Sequence, residues 1–531
     1  MKLYESIDEY EKIKDWEFTT YGEKLREWSE IYGDRVAAVE GNEELTYLGM
    51  KDKCFAISAY LIKLGIKKGD RIIIQLPNSI EFIISAFALF EIGAIPIMLL
   101  PAHREKEIEK IIELSEPVVY ITKDVFANFS YGTMADELCK KCNVNYVIKN
   151  IKELSEIHNP NELFSLQYEK PTYKDAAMLL LSGGTTGVPK LIPRTHGGYI
   201  YTNNMLAKRC KLNKESIFLV VLPAPHNFPW GNPGILGTLG KGGKVIMSHL
   251  ASPDEVFPLI EKHGVTFTAL VPSLISIYLE VLEWDDTYDI SSLEFVMVGG
   301  SVLEKSIAKK IMPMMKCKLV NIYGLAEGLN CCTSLDDTDE VILTTQGKAI
   351  SEFDEIIIVD ENNIEVPIGE FGEVITRGPY TFTGYYRLPE VNKDQFTEEG
   401  FFCTGDKARI TEEGDVQVVG RVREQINRAG EKIVPSEVEE YICEHEKVRE
   451  CIVIGIPDKI LGFRSCACVI TDDECLSLEE VREYLRNKGV TEFKIPDQLE
   501  IIDFWPLTAV NKVDKDKLVQ NIIEREKEES I

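Results

Sequence analysis

The alternation of helix-like and strand-like segments through the first half of the chain is what most limits its possible folds. Residues 51–64 carry Phe55, Ile57, Tyr60, Leu61 and Leu64 in a helical pattern. Gly69-Asp70 then turns into the short apolar run Arg71-Ile-Ile-Ile-Gln75, which reads as a buried strand. Residues 80–90 read as the next helix and 94–99 as the next strand. The rhythm recurs at 245–248, 267–270 and 295–298, each followed by a helix-like segment. Parallel strands need a crossover, usually a helix, so this alternation predicts parallel sheets covered by helices.

The texture changes after about residue 340. Strand-like runs at 355–360, 372–376 and 416–419 lie close together, separated by turn signals such as Asp360-Glu-Asn-Asn363 and Glu412-Glu-Gly414. This predicts a smaller, mainly antiparallel β subdomain over about 340–420. Near Gly420-Arg421 a third region begins. Pro435 opens a helix, 451–456 reads as a strand and 478–487 as another helix, giving a separate α+β unit. A chain of 531 residues is expected to hold two to four domains at about 100–200 residues each.

Composition removes several functions. Lys and Arg number 59 against 87 Asp and Glu, a formal net charge of −28, which leaves no electrostatic footprint for nucleic acid or an anionic membrane. The most apolar stretch, 82–100, is interrupted by Glu91, Gly93 and Pro96, so it reads as a buried helix leading into a strand and not as a membrane span. Residues 1–20 are polar and acidic, unlike a secretory leader, and thirteen cysteines without such a leader point to reduced thiols in a cytoplasm. Cys139-Lys-Lys-Cys142 has no partner pair for a zinc site.

Five local patterns carry chemistry. In Leu181-Ser-Gly-Gly-Thr-Thr-Gly-Val-Pro-Lys190, a strand runs into hydroxyls and glycines whose backbone N–H groups could cradle phosphate oxygens. It is not a Walker A loop, which needs Gly before the Lys and Ser or Thr after it; this also excludes a P-loop kinase or ATPase. In Asn321-Ile-Tyr-Gly-Leu-Ala-Glu-Gly328, a strand ends in an aromatic, a glycine and a carboxylate suited to Mg²⁺ beside phosphate. Cys403-Thr-Gly-Asp406 reads as a turn presenting one Asp to a ribose diol. The others are 420–432, beginning Gly420-Arg421, and Pro506-Leu-Thr-Ala-Val-Asn-Lys512. Taken singly, each has an ordinary alternative: a flexible loop, a helix-capping Glu, an Asx turn, a surface lysine.

Their order and spacing together resemble the adenylate-forming superfamily of acyl-CoA synthetases, adenylation domains and luciferases, over nearly the whole chain. The resemblance implies an acetyl-CoA synthetase-like α/β fold: a large N-terminal domain (1–420) of two parallel-type sheets with helices plus the β subdomain, and a smaller mobile α+β domain (421–531). It implies ATP and Mg²⁺. A carboxylate attacks the α-phosphorus to give an acyl-adenylate and pyrophosphate, and a thiol then displaces AMP. Carried over, Ser182, Gly183, Gly184, Thr185, Thr186, Gly187 and Lys190 form the phosphate loop, with Thr185 and Thr186 on the β/γ oxygens. Glu327 is the Mg²⁺ ligand. Gly299, Gly300, Ser301, Asn321, Tyr323 and Gly324 form the adenine side, with Tyr323 against the base. Asp406, assisted by Arg421, holds the ribose, and Lys512 reaches the carboxylate and α-phosphate. Arg423 falls at the hinge, where Asp or Lys is usual, and Gly430 on the loop facing the thiol channel. The family's glycine before the lysine is Asn511 here, which tolerates the same left-handed backbone.

The stretch Leu222-Pro-Ala-Pro-His-Asn-Phe-Pro-Trp230, with Leu191-Ile-Pro-Arg-Thr-His196 and Ala326-Glu-Gly-Leu329, is similar to the stand-alone aryl-acid adenylating enzymes, those activating dihydroxybenzoate or salicylate. That likeness places Asn227 on the ring hydroxyl ortho to the carboxylate, Phe228 against the ring and His226 by the carboxylate and thiol entrance. Gly300, Leu329, Asn232 and Asn330 complete the ring pocket. Asn232 stands where Ser or Cys is usual and Asn330 where Val is usual, so a ring with an extra polar atom is expected: a hydroxyl, an amino group or a ring nitrogen. The implied acceptor is the phosphopantetheine thiol of an aryl carrier protein, with coenzyme A as the alternative. Arg464 and Lys494 are candidate docking cations.

Overall fold

The computed structural model describes residues 13, 15–182, 190–285, 287–422, 426–428, 431–458, 461–473, 475–488, 490, 492–509 and 511–529. Two large mixed sheets form the body. One runs, edge to edge, Tyr146–Ile148, Val119–Thr122, Arg71–Gln75, Ile95–Met98, Ala176–Leu181, Leu191–Thr195, parallel except for the last pair. The other has nine strands. Its parallel centre is Lys318–Gly324, Phe295–Gly299, Phe267–Leu270, Ile217–Val220, Lys244–Met247 and Val36–Glu40, flanked by short antiparallel strands.

Helix Ile80–Ile92 begins at Ser79, whose side chain caps Phe82 N–H, and ends at Gly93 in the left-handed conformation (φ 69°). All but one of its residues are buried, because it packs against Arg71–Gln75 and Ile95–Met98 of one sheet and Val36–Glu40 of the other. The apolar 82–100 stretch is thus the filling between two sheets. The preceding helix spans Tyr47–Lys63, starting four residues before the expected 51 because Thr46 caps it through Gly49 N–H.

Strands Glu355–Val359, Gly372–Arg377, Phe402–Ile410 and Val416–Arg421 make the antiparallel subdomain. One expectation is corrected here. Cys403-Thr-Gly-Asp406 is no turn but the interior of a nine-residue strand. Gly405 sits at φ 72° and the pairing slips between Glu373 and Ile375, so the strand bulges and re-aims Asp406 without leaving the sheet. The C-terminal unit pairs Glu450–Asp458 with Gly462–Ile470, with Gln498–Ile501 parallel on the far side; helices Pro435–Cys443 and Leu478–Asn487 pack on one face and Lys515–Glu529 on the other. Among the described residues no helix is long and apolar enough to cross a membrane.

Candidate active site

Ligands of open α/β sheets bind beyond the carboxyl ends of the strands, and the chemistry-bearing residues lie there. Strand Ala176–Leu181 ends at Ser182, whose N–H donates to Lys190 C=O (3.1 Å) and closes the loop between the antiparallel pair. Gly183, Gly184, Thr185, Thr186 and Gly187 lie outside the described residues, as do Arg423 and Gly430. Lys190 sits with its ammonium 4.8 Å from the ring centre of Tyr385. Tyr385 Oη donates to Glu327 Oε1 (2.9 Å), so one aromatic joins the loop's lysine to the carboxylate. The Glu327 segment is pinned from behind by Arg194, a buried cation that donates to Ala326 C=O and to Tyr380 C=O (3.0 Å).

Asp406 is 5% exposed and both its oxygens are engaged: Tyr323 Oη donates to Oδ2 (2.7 Å) and Arg421 Nε to Oδ1 (2.8 Å). Asp406 and Arg421 are register partners across the subdomain sheet. Burial and the adjacent carboxylate push the Tyr323 phenol well above its ordinary range, so it is a donor throughout. Leu329 is built into the buried cluster around Tyr323 with Cys331, Ile358 and Val374. Asn321 points its amide to Ile342 C=O (3.4 Å).

The neighbouring strand ends at Gly299, and Gly300 follows it. A Cβ on Gly300 (φ 90°) would come within 3.1 Å of Lys512 Cε and 3.6 Å of its Nζ. Ser301 beside it is exposed. The lysine therefore lies over Gly300, delivered by the loop in which Thr508 N–H donates to Lys512 C=O (2.7 Å) and Ser273 Oγ to Asn511 C=O (2.5 Å). Asn511 has φ 59°, the left-handed backbone that the sequence required there. Arg449 on Glu280 (3.1 Å) and Cys443 Sγ on Glu304 (3.3 Å) also hold the C-terminal unit against the body.

His226 caps the short helix Asn227–Gly231, its Nδ1 accepting from Phe228 N–H (3.2 Å). Burial, then the nearby Lys512 charge, lower its pKa to about 3, so the ring is neutral. With Nδ1 accepting, its proton sits on Nε2. Asn78 holds the preceding segment in place: its amide donates to the Val220, Leu222 and Ser248 carbonyls and accepts from Ala224 N–H (2.7 Å). Asn227 Oδ1 accepts from Tyr199 Oη (2.7 Å). Phe228 is buried in the main core. Asn232 and Asn330, 3% and 1% exposed, converge beneath Gly324, where an added Cβ would lie 2.4 Å from Asn330 Oδ1 and 3.3 Å from Asn232 Nδ2.

Tyr385, Arg194, Tyr199 and Asn78 have no motif of their own around them. Arg194 lies in a quoted segment, but only the structure shows what it holds. Arg464 and Lys494, read as docking cations, are already paired within the C-terminal unit, with Glu526 and Glu437.

An α/β body with strand-end glycines, a buried carboxylate and a lysine brought over the glycines by the C-terminal unit matches the architecture of an adenylate-forming enzyme. Residues 25–386 match the AMP-binding enzyme family, and 437–512 match the AMP-binding enzyme C-terminal domain. The chain belongs to this family, in its aryl-acid–AMP ligase branch. It is 40% identical to the 2,3-dihydroxybenzoate-AMP ligase of Bacillus subtilis (strain 168), covering 98% of this chain and 97% of that one. It is 36% identical to a Streptomyces salicylyl-CoA synthase / salicylate adenylyltransferase, covering 97% and 96%. The apo structure of Mycobacterium smegmatis MbtA superposes with a TM-score of 0.73 at 34% identity, over 97% of both chains.

Proposed function

We propose that this chain activates a 2-hydroxy-substituted or heteroaromatic carboxylic acid with ATP and passes the acyl group to the phosphopantetheine thiol of a carrier protein, as in siderophore or nonribosomal peptide assembly. Lys512 lying over Gly300 carries this reading, because it sets one ammonium among Gly300, the neutral His226 and the strand ends. In the first step a carboxylate oxygen bonds to the α-phosphorus and the bond to the β-phosphate oxygen breaks, releasing pyrophosphate. In the second a thiolate bonds to the acyl carbon and AMP leaves.

The residues have distinct work. Lys512 offsets negative charge as it develops on the phosphoryl and carboxylate oxygens. His226, with its proton on Nε2, donates a hydrogen bond to the acid's carboxylate and is not the base for the thiol. Asp406, fixed by Tyr323 and Arg421, is the carboxylate that would meet the ribose hydroxyls. Glu327 suits Mg²⁺: Oε1 has Tyr385, Oε2 shows no partner among the described residues, and a hard cation bound by one carboxylate fills its remaining positions with phosphate and water oxygens. The ion would neutralise phosphate charge. We place the hinge at Arg423 and the boundary of the mobile C-terminal domain at 420–421, with Gly430 on the side that meets the thiol.

The acceptor separates this reading from an aryl-CoA ligase, which one relative's double name favours. Incubation with ATP, Mg²⁺ and the preferred acid, with either a phosphopantetheinylated carrier protein or coenzyme A, followed by intact-mass analysis, tests it. Acyl mass on the carrier at a rate well above acyl-CoA formation supports the proposal; acyl-CoA alone replaces it with the ligase reading.

A further inference from the structure

Arg194, on strand Leu191–Thr195, is 3% exposed, and among the described residues no carboxylate pairs with it. Its guanidinium lies 5.0 Å over the Tyr199 ring and donates to two main-chain carbonyls, Ala326 and Tyr380 (3.0 Å). Burying a charge is costly, and two carbonyls could be tied by a neutral amide or by water. What the two carbonyls have in common accounts for the arginine. Ala326 precedes Glu327, and Tyr380 begins the segment carrying Tyr385, whose hydroxyl donates to Glu327 Oε1 (2.9 Å). The two segments meet along their main chains. Phe382 N–H donates to Glu327 C=O (2.7 Å), and a Cβ on Gly328 (φ 155°) would lie 2.5 Å from Thr381 Cα. Tyr380 is also held from its side chain, its hydroxyl donating to Asp354. The arginine's own strand takes Tyr386 N–H at Leu191 C=O (2.8 Å). Burial disfavours the Arg194 charge, and the Glu327 carboxylate favours it.

We propose that Arg194 is the positioning residue of Glu327: it clamps the two segments that carry Glu327 and Tyr385, so that the carboxylate is aimed before nucleotide and cation arrive. The inference rests on the reading of Glu327 as the Mg²⁺ ligand and deepens it. A guanidinium suits the task because its rigid fork spans two carbonyls at once while its charge stays fixed. A residue that orients a metal ligand from behind typically contributes about 10–100-fold to metal affinity or activity. A brace with no such role would lower stability when lost, without singling out Mg²⁺.

The test is the magnesium dependence of the full-length enzyme. Arg194→Lys keeps the charge but, with one compact head, gives up the fork. Two quantities are read: ATP affinity by titration calorimetry, with Mg²⁺ and with EDTA, and the Mg²⁺ concentration for half-maximal ATP–pyrophosphate exchange. In Arg194→Lys the Mg²⁺ half-point should rise by about tenfold or more, and the calorimetric gain in ATP affinity on adding Mg²⁺ should shrink to match. ATP affinity in EDTA and the KM for the acid should be unmoved. On a Glu327→Gln background Arg194→Lys should add nothing further, since it acts through that carboxylate. Gly328→Ala, which presses the same seam apart without touching Arg194, should shift the half-point the same way, and it carries the test if Arg194→Lys does not fold. A lower melting temperature with an unmoved Mg²⁺ half-point makes Arg194 a brace and overturns the proposal, as does full additivity with Glu327→Gln; both leave the reading of Glu327 standing. A Glu327→Gln enzyme with the wild-type Mg²⁺ half-point overturns that reading, and this one with it.

Discussion

At the Asp406 end of the site both carboxylate oxygens already have protein partners, Tyr323 on one and Arg421 on the other. Asn232 and Asn330 are as deeply buried, yet among the described residues the carbonyl oxygen of each has no hydrogen-bond partner. The contrast separates what is common to a class of reactions from what is particular to one acid. On the proposed function Asp406 meets a ribose diol that is the same in every ATP, so a sheet register and a phenol can hold it rigid before the ligand arrives. The acid differs from one such enzyme to another, and on the proposed function the amides that would meet it are less fully engaged than Asp406.

The largest effect is expected at the residue serving both ends. Lys512→Ala should slow adenylate formation by roughly 10²–10³, typical for loss of a transition-state charge contact, for every acid alike. Thioester formation from pre-formed acyl-adenylate should survive in a single-turnover assay, since the lysine acts in the first step. Next, Asp406→Ala should raise the KM for ATP at least about tenfold through loss of charge-assisted hydrogen bonds, without reordering the acids. A change in acid ranking would break the division between the ends. Asn511→Val should cost about 1–2 kcal/mol of strain at a φ of 59° and lower adenylation, while Asn511→Gly should be nearly silent. Steady-state rates of the pair read this directly.

The smallest effects concern pH. His226 is held neutral with a pKa near 3, so the rate profile should show no inflection from it between pH 5 and 8, and His226→Gln should leave the profile's shape unchanged. Glu304 lies where the C-terminal unit meets the body. Burial raises it to about 8, against the Cys443 hydrogen bond and with Glu439 and Glu450 adding like charge. Its pKa is higher docked than free, so docking is strongest below the ordinary carboxylate range. It weakens as pH rises toward 8 and changes no further above that. Limited proteolysis between pH 5 and 8.5 should show faster cleavage at higher pH in the wild type and a flat response in Glu304→Gln.

The strand–helix rhythm was legible because burial between layers writes an unbroken apolar run. Helix Leu478–Asn487 and strand Phe267–Leu270 fall where the pattern puts them. The bulge under Asp406 was not legible, because a turn and a bulged strand both ask for Thr-Gly-Asp, and only pairing to Gly372–Arg377 decides. Tyr199, Arg194 and Asn78 were not legible as site residues because each acts through a contact far along the chain; Asn78 reaches Ser248 across 170 residues. The unusual amides at 232 and 330 were visible in sequence, but which atom of Asn330 faces inward depends on the Gly328 carbonyl.

The account stands most directly on acid-dependent ATP–pyrophosphate exchange across aromatic and fatty acids at saturating ATP and Mg²⁺. It predicts one dominant aromatic acid, 2-hydroxy-substituted or heteroaromatic, with fatty acids at background. Exchange led by fatty acids, or a flat response to every acid, would contradict it.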